Sequence, residues 1–326
     1  MSNKNCENKK CHMTSIGGQA VIEGVMMRGP KDIAICVRKP DGEIITEKKP
    51  VSSVLQKSKI LKLPIIRGVI SFFESLIIGT KALMFSAEFA DIEDDEEKER
   101  KKGMTEEELK KEEKKQSKIL TGAIWASVLV SLAFSVGLFM MLPAFLVGLL
   151  RDYCFPTVPN IIATLLEGVV RITIFVVYIF LASFMKDIRR VFEYHGAEHK
   201  TIFCYESGEE LTVENARKFS RLHPRCGTSF MLIVMVVSII LFSFISWDNP
   251  WTRLGLRLLL LPFVAGISYE IIKLAGRSTG LIMKIVSVPG KWLQKITTKE
   301  PDDSQLEVAI ASLKAVLTGN KEDDKW

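Results

Sequence analysis

The sequence predicts an α-helical polytopic membrane protein with about four transmembrane helices and a small cytoplasmic α+β part. Three observations predict it. Apolar residues gather into long runs almost free of charge. The mean hydropathy is positive, +0.19, with 48% hydrophobic residues. Lysine and arginine concentrate in some connections and are sparse in others. A chain of 326 residues is long enough for two soluble domains, but this uneven distribution argues for lipid as the solvent.

The amino terminus, "MSNKNCENKKCHM", is polar and lacks the apolar core of a signal peptide. Residues 1–15 read as a disordered terminus. Cys6, Cys11 and His12 match no structural zinc spacing and are expected to be idle. The six cysteines show no disulfide-framework pattern, so cytosolic ones should be free thiols or ligands. The net charge of +6 fits basic cytoplasmic flanks better than nucleic-acid binding.

Residues 16–62 read as a small β-rich cytoplasmic unit, because "IAICVRK" and "EIITEKK" flank a Pro40-Asp41-Gly42 turn. The next segment, 63–90, is apolar enough to touch lipid. Arg67, Glu74 and Lys81 interrupt it at seven-residue intervals on one side, which favours an interfacial or re-entrant helix over a span. Residues 91–118 mix charges densely and read as a solvated linker. The first two transmembrane helices fall within 119–185 and the last two within 229–274. The connection 186–228 is rich in lysine and arginine, whereas 151–160 carries only Arg151. An even number of spans with both termini cytoplasmic satisfies this pattern, apart from Arg253 and Arg257 at the start of the fourth span. The tail, 275–326, contains an amphipathic helix from about Ser304, with Leu306, Ile310, Leu313 and Leu317 at helical spacing. Packing on the amino-terminal unit and lying on the membrane surface would both explain it.

The chemistry concentrates in "EYHGAEHKTIFCYE", residues 193–206, which holds two of only four histidines. On a helix, His195, Glu198 and His199 share a face. They spell H-x-x-E-H, two imidazoles for one metal and a carboxylate placed to take a proton. A third ligand is needed, and "RLHPRCGTSF" offers His223 and Cys226 on the same connection. Gly196 weakens the helix by up to about 1 kcal/mol, and simple hydrogen bonding at a membrane surface is the bland alternative. "SIGGQAVIEGVMMRGP" is no phosphate loop; its Glu23 or Arg28 could line a pocket beside the histidines. Glu167 and Arg171 can pair on one helix face, which suffices to explain them. Glu270, near the end of the fourth span, could reach the histidine site as a ligand.

With these segments and "GISYE" and "TTKEPDDSQLEVAI" in order, the chain resembles the YqhQ-like family of bacterial membrane proteins, the domain of unknown function 1385. The resemblance implies a multi-pass plasma-membrane protein, commonly described as a predicted metal-dependent enzyme. Its matching positions are His195, Glu198, His199, His223 and Cys226, with Glu23 and Glu270 in other segments.

Three functions are in competition. The first is a metal-dependent hydrolase at the cytoplasmic face, with Glu198 as base and zinc or another divalent transition metal held by His195, His199 and either Cys226 or His223. Its substrate would be a peptide or a lipid-linked ester. The second is a non-catalytic scaffold or membrane-protein biogenesis factor with a closed four-ligand structural metal. The third, a transporter using Glu167, Arg171 and Glu270, is least favoured without internal repeats. The lipid bilayer is the expected partner, alongside other membrane proteins or a second copy of the chain.

Overall fold

The computed structural model describes residues 12–54, 58–90, 122, 126–154, 156–244, 249–276 and 281–325. The charged stretch 91–118 and the pair Cys6 and Cys11 lie outside the described residues. Four strands come first: β1 (Gly17–Val21), β2 (Gly24–Arg28), β3 (Asp32–Arg38) and β4 (Ile44–Pro50). The helices follow as α1 (Ile66–Ala90), α2 (Ala126–Tyr153), α3 (Asn160–Ala182), α4 (Lys186–Glu206), α5 (Val213–Arg217), α6 (Gly227–Ser243), α7 (Pro250–Gly276), α8 (Leu281–Thr297) and α9 (Asp303–Val316).

The strands pair antiparallel in chain order. Gly42, at φ 90°, turns β3 into β4 at the expected Pro-Asp-Gly site. Period-two alternation sends Val25, Met27, Ala34 and Cys36 to one face, and Met26, Ile35 and Val37 to the other. The first face is covered by α9, whose Leu306, Ile310 and Leu313 are buried there. The tail helix therefore packs on the amino-terminal unit. Burying each of these side chains contributes roughly 1.5–3 kcal/mol, and a capping box between Asp302 and Gln305 fixes where the helix starts. The second face is covered by α1 through Ile78, Ala82, Phe85 and Phe89.

Among the described residues, four helices are long and apolar enough to cross a membrane: Ile66–Phe89, Ala126–Tyr153, Asn160–Ala182 and Trp251–Leu274. Three coincide with expected spans. The fourth is α1, whereas α6, the first of the two spans expected within 229–274, ends at Ser243 after 17 residues. The contacts of α1 are informative here. Its first turns meet α7, where Gly68 lies against Gly266 and Arg67 grips Glu270. Its last turns lie on the sheet. Glu74 accepts bonds from Ser53 and the Val54 amide, so two of the three interrupting charges are matched by neighbours.

Within the apolar bundle, Glu167 and Arg171 pair across one helical turn as expected. Arg257 of α7 joins them, and Arg253 stands 3.8 Å from Glu167. The two arginines that look misplaced for orientation thus serve a buried carboxylate. Arg171 also donates to the Phe139 carbonyl, inside a π-helical turn at Gly137–Met141.

The amino terminus departs from expectation at its end. His12 bonds Asp324 at 2.6 Å and lies edge-on to Tyr205. The amide of Thr14 donates to Glu206. Residues 12–15 are thereby tied to the folded domain, because the carboxy-terminal segment and α4 both supply acceptors.

Candidate metal centre

The centre is built on α4, which runs unbroken for 21 residues through Gly196. The expected penalty at this glycine has a packing reason. A side chain here would place its Cβ 2.1 Å from the carbonyl oxygen of Lys299. Residues 297–301 cross the helix at that point, and the Lys299 amide donates to the Phe192 carbonyl. That close crossing brings the Thr297 carbonyl within 2.9 Å of His195 Nδ1. One turn later, His199 Nδ1 lies 2.5 Å from the carbonyl of Arg221. Each imidazole is thus held by a backbone carbonyl at Nδ1, leaving Nε2 to face inward, the usual way of orienting a histidine ligand.

Both rings turn toward Cys226, the N-cap of α6. His195 Nε2 is 3.2 Å from Cys226 Sγ. The ligand atoms of His195, His199 and Cys226 all lie within 4.8 Å of one another. About 3.4 Å separates two ligands of a tetrahedral ion at bond lengths of about 2.0–2.3 Å, so the three need only a small contraction. A metal also fits the polar accounting: among the described residues, His199 Nε2 and Glu198 Oε2 are buried without a hydrogen-bond partner, and natural structures rarely tolerate that.

The electrostatics agree with the geometry. Burial opposes ionisation of the Cys226 thiol, yet the imidazoles of His199 and His195 hold it well below its ordinary value of 9.0. Burial likewise opposes charging His195, but Cys226 and then Glu198 raise it to about 9. Burial pushes the Glu198 carboxyl up, against the pull of His195 and His199. Its Oε1 accepts from the Gly18 amide at 3.1 Å. Gly18 must be glycine, since a Cβ there would fall 2.9 Å from the Glu198 carboxyl carbon. The glycine-rich amino-terminal motif therefore sits on the same side as the histidine helix, as a one-sided site requires.

The other expected residues are placed differently. His223 is buried 5.6 Å from the His199 ring, but both its nitrogens are engaged. Nε2 lies 3.4 Å from Glu206, and Nδ1 accepts from the Arg225 amide. Gln294 brackets its backbone on both sides. Glu23 is paired with Arg190 and accepts from the Tyr194 hydroxyl. Glu270 does not reach the histidines, because Arg67 holds both its oxygens. Arg28 does line a cavity that Cys226 also lines. Sequence reasoning missed Gly18, Thr297, Arg221 and Glu206. Only Glu206 carried a signal, lying seven residues after His199 on the same helix face; backbone amides and carbonyls leave none.

Long apolar helices joined to a small sheet, with a histidine-bearing helix at their junction, define a mostly helical protein of membrane type. The chain belongs to the family described as "Protein of unknown function (DUF1385)", whose model matches residues 63–319. It is 37% identical over 302 residues to "Uncharacterized protein YqhQ" of Bacillus subtilis (strain 168), covering 92% of each chain. No solved structure matches.

Proposed function

We propose that this protein is a metal-dependent hydrolase of the plasma membrane, with its centre and both termini on the cytoplasmic side. The observation that carries the reading is the convergence of His195, His199 and Cys226 beside a buried carboxylate oxygen that has no partner among the described residues. In this reading the two Nε2 atoms and the Cys226 sulfur hold a divalent transition ion, zinc by donor type. When bound, the ion supplies Lewis acidity toward an oxygen of substrate or water. Glu198 takes up the proton at Oε2, while the Gly18 amide keeps the carboxylate aimed. Its raised affinity for protons suits a base working near neutral pH. We place α1 on the membrane surface rather than across it, because its last turns cover the sheet.

The scaffold reading needs His223 as a fourth ligand, which means giving up its bonds to Glu206 and Arg225. X-ray absorption spectroscopy of the zinc-loaded protein separates the two. The hydrolase reading expects one sulfur at about 2.3 Å and three lighter atoms at about 2.0–2.1 Å, with two imidazoles in the outer shells and a spectrum unchanged by His223→Ala. A third imidazole, lost in His223→Ala, would favour the scaffold instead.

A further inference from the structure

A cavity of about 410 Å³ adjoins the centre, between the sheet, α1 and the adjacent ends of α6 and α7. Its size is that of a small-molecule site. Cys226, a ligand in the reading above, is part of its wall, as are Arg28 and Gln19 from the sheet. The remaining wall is largely apolar. Phe72 of α1 and Phe230 of α6 face each other with ring centroids 6.3 Å apart, and Ile272 of α7 completes that side. Phe230 lies one turn into α6 from Cys226, so the apolar wall continues along the helix in the direction of the bundle. The opposite face of α1 exposes Phe73, Leu76 and Ile77, as an interfacial helix should. The Arg28 guanidinium stands 3.8 Å from Glu74, too far for a hydrogen bond, and is one-third exposed.

We propose that the cavity takes an anionic phospholipid from the facing leaflet, with its phosphate at Arg28 and an acyl chain against Phe72, Phe230 and Ile272. This rests on the hydrolase reading and names its substrate class as an acyl ester of such a lipid. Water adds its hydroxyl to the acyl carbonyl carbon and its proton passes to Glu198. The ester C–O bond breaks, and Glu198 returns the proton to the departing alkoxide, giving a carboxylic acid and an alcohol. A charged headgroup meets a guanidinium whose ion pair with Glu74, at 3.8 Å, is loose, and an acyl chain meets an apolar surface it can exchange for bilayer without loss.

The test needs no turnover. A Ser75→Cys chain, with Cys6, Cys11 and Cys154 replaced by serine, is placed in phosphatidylcholine nanodiscs with or without phosphatidylglycerol. Alkylation of the introduced cavity thiol by a water-soluble maleimide is followed by peptide mass spectrometry, and metal content is measured on the same samples. Phosphatidylglycerol is expected to slow labelling. Arg28→Gln should raise the fraction of that lipid needed by about tenfold, the size of one lost charge-assisted hydrogen bond, while Arg151→Gln at the far end of the bundle leaves it unchanged. Equal labelling in both lipids, or equal protection by soluble glycerol phosphate, overturns the inference. Metal-loaded protein without lipid protection overturns the lipid site and the substrate class together and leaves the hydrolase reading standing. Protection in protein that never holds metal supports the lipid site but removes the hydrolase on which the substrate claim rests.

Discussion

Replacing Gly196 with alanine should damage the centre without touching any ligand. The added Cβ would stand 2.1 Å from the Lys299 carbonyl oxygen, and ordinary contact begins at 3.4 Å, so residues 297–301 must retreat by about 1.3 Å or more. The Thr297 carbonyl moves with them, and its 2.9 Å bond to His195 Nδ1 is lost or badly stretched. Two effects follow. Overpacking costs about 1–3 kcal/mol of stability. Releasing the atom that orients a histidine ligand weakens metal affinity by about 10–100-fold. The comparison is Gly148→Ala on α2, where no atom of the described residues lies within 4 Å of the new methyl. That change should be neutral or stabilising by up to about 1 kcal/mol, since alanine is the better helix former. Zinc affinity is measured in detergent by competition with a chromophoric chelator, and stability by the thermal midpoint. Wild-type affinity in Gly196→Ala, with an unaltered midpoint, would refute the claim that the crossing segment aims His195.

Other predictions concern groups around the centre and in the bundle. Glu167→Ala strands Arg171 and Arg257 without their buried carboxylate and should cost about 3–5 kcal/mol, read as a large drop in thermal midpoint in detergent. Burial alone would raise the Glu206 carboxyl, but His223, Arg225 and the Thr14 amide hold it below the usual range. Its stabilisation is therefore present above the ordinary carboxylate pKa and is lost as pH falls through the depressed value. Glu206→Gln should flatten the acid limb of a stability-versus-pH curve. In metal-stripped protein, Cys226 should react with iodoacetamide well below pH 9 because its thiolate is favoured. Cys204, whose thiol burial pushes up to about 11, should stay unreacted. Added zinc should protect Cys226, followed by peptide mass spectrometry.

Much of this was legible in the sequence because helical spacing and hydropathy are local. The i, i+4 pair His195 and His199, the amphipathic tail helix and three of the long apolar helices follow from residues near one another in the chain. What failed to show was set by distant partners. Glu270 is a reasonable ligand at the end of a span until α1 brings Arg67 beside it, 203 residues away in sequence. His223 is a reasonable ligand until Glu206 and Arg225 engage its nitrogens. The atoms that aim the histidines belong to the main chain of Thr297 and Arg221, so no side-chain pattern could announce them. Gly196 read as a weak point in a helix and is instead the place where another segment crosses. The apolar character of α1 is plain in the sequence, whereas its seat on the sheet depends on a face that Met26, Ile35 and Val37 create only once the strands pair.

The central claim, a three-ligand metal centre served by a separate carboxylate, is tested most directly by metal content. Detergent-purified wild type, His199→Ala and Glu198→Ala are equilibrated with zinc, desalted and analysed by elemental mass spectrometry. The account predicts about one ion per chain in wild type, loss in His199→Ala and retention in Glu198→Ala. Absence of metal from wild type, or loss with Glu198→Ala as complete as with His199→Ala, would contradict it.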